Sequence, residues 1–398
     1  MRSLLPLSAL LLSACATVPP PAGPVPASTA WAVFDATQIR ASGAAGLADR
    51  AAGRRMTIAD PARIASISKL VVALGVMRLV EQGKLDLDRD VSDWLGWKLR
   101  NPAFPDRPIT LRLLLSHRSS LRDGIDYALP LGTELQSALA APEAFDLDHA
   151  PGSWFRYTNL NFPVVASVME AATGERFDRL IDRLVLNPLQ LDACFNWMTC
   201  SDSAIARATV LYAPDGTPVR DDLEGRRPNC PVVPDKSGGC DLQAYRLGSN
   251  GAIFSPQGGL RISVADLARI GELLLRDGRL ADGSAFLSPA GMATLTRPVW
   301  RFDGSNGDTE NGFYCGYGLA VQILAQCATD DPFGDRRARF GHAGDAYGLR
   351  SGIWVDPDRG VGIAYLATGL GDDPAKGRSA YRAAEEDLSA KLLSTRPR

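Results

Sequence analysis

The chain has 398 residues, 45% of them hydrophobic and 22% charged, the composition of a globular protein long enough for one large two-lobed domain or for two domains. Its formal charge is -2 with the signs interspersed, so it offers no basic face, and a nucleic-acid partner is not expected.

At the N-terminus, Met1-Arg2-Ser3 and the apolar run Leu4 to Leu12 read as a secretory signal, too short to span a bilayer as a mature helix. The run ends Leu12-Ser13-Ala14-Cys15, which resembles the lipobox of bacterial lipoproteins. That resemblance implies cleavage before Cys15, a lipid on Cys15 and, with Ala16 next rather than Asp, outer-membrane sorting. The expected layout is a signal peptide over 1–14, a lipidated and Pro-rich tether over 15–29 (VPPPAGPVPAS at 18–28), and one domain over 30–398 on the periplasmic side. Cys194, Cys200, Cys230, Cys240, Cys315 and Cys327 remain, an even set that in an exported protein points to disulfides, with nearest-neighbour pairing as the hypothesis. No zinc spacing occurs, and neither a metal nor a cofactor is expected.

Trp31 to Asp35 is β-like and suits a hairpin with residues 43–51. Ile67 to Val80 is apolar nearly all round, which predicts a helix buried on most sides and stopped at Gly83. Thr110 opens a helix over Leu111 to Leu115, Pro163 fits a helix N1 position with Gly174 as stop, and Phe177 to Leu186 forms an amphipathic helix ended by Pro188. The segment 215–239 is polar and Gly/Pro-rich, a long surface loop. Ser263 caps a helix to Leu275, and Ser288-Pro289 starts another. Beyond Gly316 the character turns to strands at Gly318 to Leu324, Gly352 to Val355 and Val361 to Thr368, with 356–360 as a hairpin loop and a closing helix over Ala380 to Leu393. Strands at both ends with helices between predict an α/β (α+β) fold: an antiparallel sheet built from residues 30–87 and 250–398, flanked by helices, with a helical lobe over 88–249.

The chemistry centres on Ser66-Ile67-Ser68-Lys69. Residues three apart on a helix share a face, so Ser66 and Lys69 are neighbours and Ser66 is the candidate nucleophile. Only six of the 43 basic residues are lysines, so Lys69 stands where an amine that can lose its proton is wanted. Tyr157-Thr158-Asn159 is the one Y-x-N of the chain; its phenol suits proton transfer with Ser66, and Asn159 suits a substrate carbonyl or Lys69. His342-Ala343-Gly344-Asp345 precedes a strand. Gly344 would let substrate lie against the sheet edge, and the N–H groups of Ser66 and of the residue after Gly344 would form an oxyanion hole. His117 reads as structural, holding a loop, and His149 as exposed.

S-x-x-K, Y-x-N and a basic residue followed by x-G, in that order, resemble the signature of the serine β-lactamase and penicillin-binding-protein superfamily, most closely its class C β-lactamase-like branch of esterases and D-amino-acid-releasing peptidases. Supporting stretches are Leu113 to Leu121, similar to L-L-x-H-T-S-G-L, and Gly258-Gly259-Leu260 running into Ser263 to Leu267. The resemblance implies an α/β sandwich with a helical lobe, acyl transfer through Ser66, catalysis by Lys69 and Tyr157 as one proton-sharing unit, and substrate binding by Asn159, His342, Gly344 and Asp345. His342 stands where true class C β-lactamases and most D,D-peptidases carry lysine. A neutral histidine removes a permanent charge for a substrate carboxylate, which favours esters or amides over β-lactams and peptides with a free C-terminus. Asp345 would repel a developing oxyanion unless turned away. A D-alanyl-D-alanine carboxypeptidase or class C β-lactamase is the alternative, and a catalytically silent cell-wall-binding lipoprotein the second. No G-x-S-x-G occurs, which counts against a Ser-His-Asp hydrolase.

Overall fold

The computed structural model describes residues 26–371 and 373–394. The expected signal peptide, Cys15 and most of the tether lie outside the described residues. Strand structure begins slightly before the expected boundary, because β1 starts at Ser28, whose hydroxyl lies 2.8 Å from that of Thr368.

The strands in chain order are β1 (Ser28–Asp35), β2 (Ile39–Asp49), β3 (Arg54–Arg55), β4 (Ala62–Arg63), β5 (Cys194–Phe195), β6 (Leu211–Tyr212), β7 (Pro218–Arg220), β8 (Leu260–Ile262), β9 (Trp300–Arg301), β10 (Gly316–Tyr317), β11 (Gln322–Ile323), β12 (Phe340–Ala346), β13 (Leu349–Asp356) and β14 (Val361–Thr368). The main sheet runs β3-β2-β1-β14-β13-β12-β11-β10-β9 with antiparallel neighbours, so the N-terminal hairpin closes onto the last strand. A smaller sheet, β4-β8-β5, carries the approach to Ser66. Gly318 to Leu324 is not the single strand expected: Gly318 N–H donates to Val321 O, and the stretch turns back between the two-residue strands β10 and β11. The 215–239 segment likewise contains β7, hairpin-paired with β6.

The helices are α1 (Ser68–Glu81), α2 (Ser92–Leu95), α3 (Leu111–Leu115), α4 (Leu135–Ala138), α5 (Asn161–Thr173), α6 (Phe177–Ile181), α7 (Asp202–Ala206), α8 (Val264–Leu275), α9 (Pro289–Thr296) and α10 (Ala383–Ser394). Pro163 is the third residue of α5 rather than its first. The Asn161 side chain, bonded to Leu114 O and the Ser119 hydroxyl, sets the helix start earlier, and proline is tolerated there because N–H groups of a first turn have no helical acceptor. The Phe177 to Leu186 helix passes into one π-helical turn at Asp182–Leu186.

Strand alternation sorts side chains between two cores. Ala30, Ala32, Phe34, Ile353, Ala364 and Leu366 face α8, while Val33, Trp354, Ile363 and Tyr365 face Leu388 and Leu392 of α10. α8 can lie close because Gly271 has no Cβ; one added there would sit 2.1 Å from the Phe34 ring. α1 is buried all round, with Leu70, Val71, Val72, Leu74 and Val76 fully inaccessible, and each such side chain contributes about 1.5–3 kcal/mol by leaving water. Residues 88–249 hold α2 to α7 and the short strands β5, β6 and β7, and β5 joins this segment to β8. The cysteines pair Cys194–Cys200, Cys230–Cys240 and Cys315–Cys327, nearest neighbours throughout. No helix among the described residues is long and apolar enough to cross a membrane.

Candidate active site

Ser66 sits on a single 3-10 turn (Ala65–Ile67) between β4 and α1. Ile64 N–H bonds Leu260 O, Ala65 takes φ +52°, and the buried Ser68 hydroxyl donates to Ala65 O and accepts from Leu260 N–H, so the turn is fixed from below. Lys69 is fully buried in the first turn of α1. Its Nζ donates to Ser66 Oγ at 2.9 Å, to Asn159 Oδ1 at 2.8 Å and to Gln257 O at 2.9 Å. Burial drives this amine from its ordinary 10.5 to about 7, with Asp123 and Glu310 pulling the other way.

The Tyr157 wall is held by His117. Arg156 N–H donates to His117 O, Thr158 N–H donates to His117 Nδ1 at 3.0 Å, and the imidazole stacks on the Tyr157 ring at 4.3 Å. Tyr314 stacks on the other side at 4.7 Å, and Lys69 Nζ lies 4.8 Å from the Tyr157 ring centre. The Tyr157 hydroxyl makes no full hydrogen bond among the described residues. It lies near enough to Ser66 and Tyr314 for both to favour its anion, but burial outweighs them and pushes the phenol well above its ordinary value. His149, expected to be exposed, is half-buried, stacked on Trp154 at 4.2 Å and bonded to Asp146.

β12 borders the nucleophile. Leu324 N–H donates to Arg339 O, which fixes the side toward which that peptide points, and β12 pairs with β13 without a bulge. By alternation the N–H groups of Gly341, Ala343 and Asp345 face the same side. Among the described residues β11 pairs with β12 only at Phe340 and Gly341, and the Ser66 turn packs against β12. Gly344 also has a packing requirement: a Cβ there would lie 2.3 Å from both Ile64 O and Ser351 Oγ.

His342 corrects an expectation. It is 1% exposed and does not line the cleft. Nδ1–H donates to Ala343 O at 2.5 Å, so Nε2 is the acceptor for the Tyr317 hydroxyl at 2.7 Å. Burial, then the Lys69 charge, lower its pKa to about 3, so the ring is neutral, with both nitrogens turned to protein groups. Asp345, directly opposite Arg350 on β13, forms an ion pair with it, and this cation offsets the expected repulsion of an oxyanion.

These groups open on a cleft of ≈ 1720 Å³ that Ser66, Tyr157, Asn159, Gly344 and Asp345 line. Asp123, Gln257, Glu310 and Tyr314 were not anticipated. Asp123 accepts from the N–H and Nδ2 of Asn159 and from Leu160 N–H at 2.9–3.0 Å, which fixes the amide that faces Lys69. Gln257 directly precedes the Gly258-Gly259-Leu260 stretch and was findable from it, whereas no local pattern flags Glu310.

A serine and a buried amine packed against β12 of an antiparallel sheet define a serine hydrolase of the β-lactamase/transpeptidase-like superfamily. The beta-lactamase family model matches residues 26–387, and the chain belongs to that family. It is similar to esterase EstB of Burkholderia gladioli, 31% identical over 284 residues that cover 65% of this chain and 69% of EstB. It is also similar to penicillin-binding protein 4 of Amycolatopsis lactamdurans, 25% identical over 342 residues, covering 82% and 77% of the two chains. The structure of a D-amino acid amidase from Ochrobactrum anthropi SV3, with TM-score 0.66, 19% identity and 93% of each chain covered, shares the fold.

Proposed function

We propose that this serine hydrolase cleaves an ester or amide through an acyl-enzyme on Ser66. The observation that carries the proposal is the Lys69 amine, buried, 2.9 Å from Ser66 Oγ and poised at about 7 with no ion-pair partner among the described residues. The neutral amine takes the Ser66 proton as Oγ bonds the carbonyl carbon. The N–H groups of Ser66 and Asp345 receive the oxyanion. The ammonium then returns the proton, by way of the Tyr157 hydroxyl, to the departing alcohol or amine. Water, giving up a proton to Lys69 in turn, attacks the acyl carbon; as the bond to Ser66 Oγ breaks, Lys69 returns that proton to Oγ, the acid leaves, and Ser66 and the neutral amine are restored. Lys69 is the base because Tyr157 holds its proton far above neutrality.

An ester is favoured because His342 supplies no charge for a carboxylate and because EstB is among the relatives. A carboxypeptidase or class C β-lactamase has one observation in its favour, the guanidinium groups of Arg63 and Arg220 in the cleft. Export with a lipid on Cys15 and outer-membrane placement belong to the same proposal; the Leu12 to Cys15 pattern and the paired cysteines support it. Wild type should hydrolyse 4-nitrophenyl butyrate and Ser66→Ala should lose at least about 10³-fold in kcat; equal rates refute the assignment. Nitrocefin in the same assay separates esterase from β-lactamase behaviour.

A further inference from the structure

Lys69 can serve as a base only if its lone pair points at Ser66, and two acceptors decide where it points. As an ammonium the amine fills three acceptors, Ser66 Oγ, Asn159 Oδ1 and Gln257 O. As a neutral amine it keeps two hydrogens, and with these on Asn159 Oδ1 and Gln257 O the lone pair is left facing Ser66 Oγ. Gln257 O is a backbone atom, beside a turn closed by the Gly258 and Gly259 N–H groups on Ser255 O, and cannot exchange acceptor for donor. Asn159 can. Its amide turned by half a revolution would present NH2 to Lys69, a donor that competes with Ser66 for the lone pair.

Asp123 prevents that turn. Its Oδ2 accepts from the Asn159 backbone N–H at 3.0 Å and from Nδ2 at 2.9 Å, and its Oδ1 accepts from Leu160 N–H at 2.9 Å. A carboxylate only accepts, so the Asn159 atom facing it is the NH2 and the oxygen is left for Lys69. Asp123 is exposed, but its backbone is tied down. Arg122 N–H donates to Ala144 O, the Thr158 hydroxyl donates to Leu121 O, and a Cβ at Gly124 would lie 1.9 Å from Glu143 O. The loop that carries Asp123 is thereby fixed against the Tyr157-Thr158-Asn159 stretch itself. The titratable groups around Lys69 are few. Tyr157, His117 and His342 are buried and uncharged near neutrality, while Asp123 and Glu310 favour the ammonium against burial, which dominates and leaves the amine at about 7.

We propose that Asp123 is a positioning residue for acyl transfer: it locks the Asn159 amide with its oxygen on Lys69, which aims the lone pair of the amine at Ser66 and then supports the ammonium. Asp123 acts through Asn159 and not on the reacting atoms. This role rests on the serine-hydrolase assignment above, and its test keeps the two apart.

The measurement is the pH profile of kcat and kcat/KM for 4-nitrophenyl butyrate, a neutral ester, in wild type, Asp123→Asn, Asn159→Ala and the double variant, with urea unfolding to confirm that each is folded. No hydrolysis by wild type at any pH would overturn the hydrolase assignment itself. With hydrolysis present, Asp123→Asn removes both the lock and a screened negative charge that favours the ammonium, so the rising limb should move to lower pH by about half a unit or more. On the plateau kcat should fall about tenfold or more, the rate equivalent of one hydrogen bond to a charged group. In the Asn159→Ala background, where there is no amide to lock, the same substitution should lower kcat about threefold or less. Asp123→Ser, likewise uncharged, should move the limb the same way, so the outcome does not hang on the folding of one variant. A limb and a kcat unchanged in the Asp123 variants, or a loss of kcat as large without the Asn159 amide as with it, overturns the proposal.

Discussion

Replacing Lys69 by methionine is expected to end turnover and also to flatten the dependence of stability on pH. In an unfolded chain the amine titrates at ~10.4, and in the fold at about 7. Between those values the unfolded chain holds the extra proton, so wild-type stability rises with pH through this window and falls as pH returns toward 7. The full span is about 5 kcal/mol, and the part between about pH 7 and pH 9.5 is about 3 kcal/mol. Methionine forfeits the hydrogen bonds to Asn159 Oδ1 and Gln257 O, but that loss is the same at both pH values and drops out of the comparison. Urea unfolding of both proteins at the two pH values measures the difference. Wild type should gain about 3 kcal/mol on Lys69→Met on going to the higher pH. The same amine should place the rising limb of kcat/KM for a neutral ester near pH 7. Parallel stability curves together with a limb near pH 10 would refute a buried, poised amine.

Tyr157→Phe should lower kcat for ester hydrolysis by about 10²–10⁴ with little change in the pH limb, because the phenol passes a proton without being the base; a limb that moves with this substitution contradicts the assignment. His117→Ala leaves the buried Thr158 N–H unpaired and should cost about 1–3 kcal/mol in urea unfolding while lowering kcat through a loosened Tyr157. Gly344→Ala drives a methyl group into Ile64 O and Ser351 Oγ, and should cost about 1–3 kcal/mol and most of the activity by moving the Ser66 turn off β12. Retention of full activity in Gly344→Ala would show that the turn does not depend on that contact.

What the sequence disclosed follows from the range over which each signal acts. The Ser66–Lys69 pair was legible because its helix is apolar on every side and the spacing of three is a local rule. The sheet was legible where strands are long, as in β13 and β14, and illegible at β10 and β11, where two residues carry no alternation. His342 was misplaced because its surroundings depend on strand parity and on which partner strand stops short. That β11 pairs with β12 only at Phe340 and Gly341 is a tertiary fact. Glu310 joins Ser66 across more than two hundred residues of chain, and its left-handed backbone gives no periodic mark.

The disulfides lie beside the cleft. Cys194–Cys200 encloses the lining residues Asn196 and Trp197, Cys230 is itself a lining residue, and Cys315–Cys327 closes the loop between the lining residues Tyr314 and Thr329. The sheet and α1 are held by packing, but the mouth is held by sulfur. A thiol-reducing surrounding would therefore blunt selectivity for what enters the cleft before it disturbed the body of the protein.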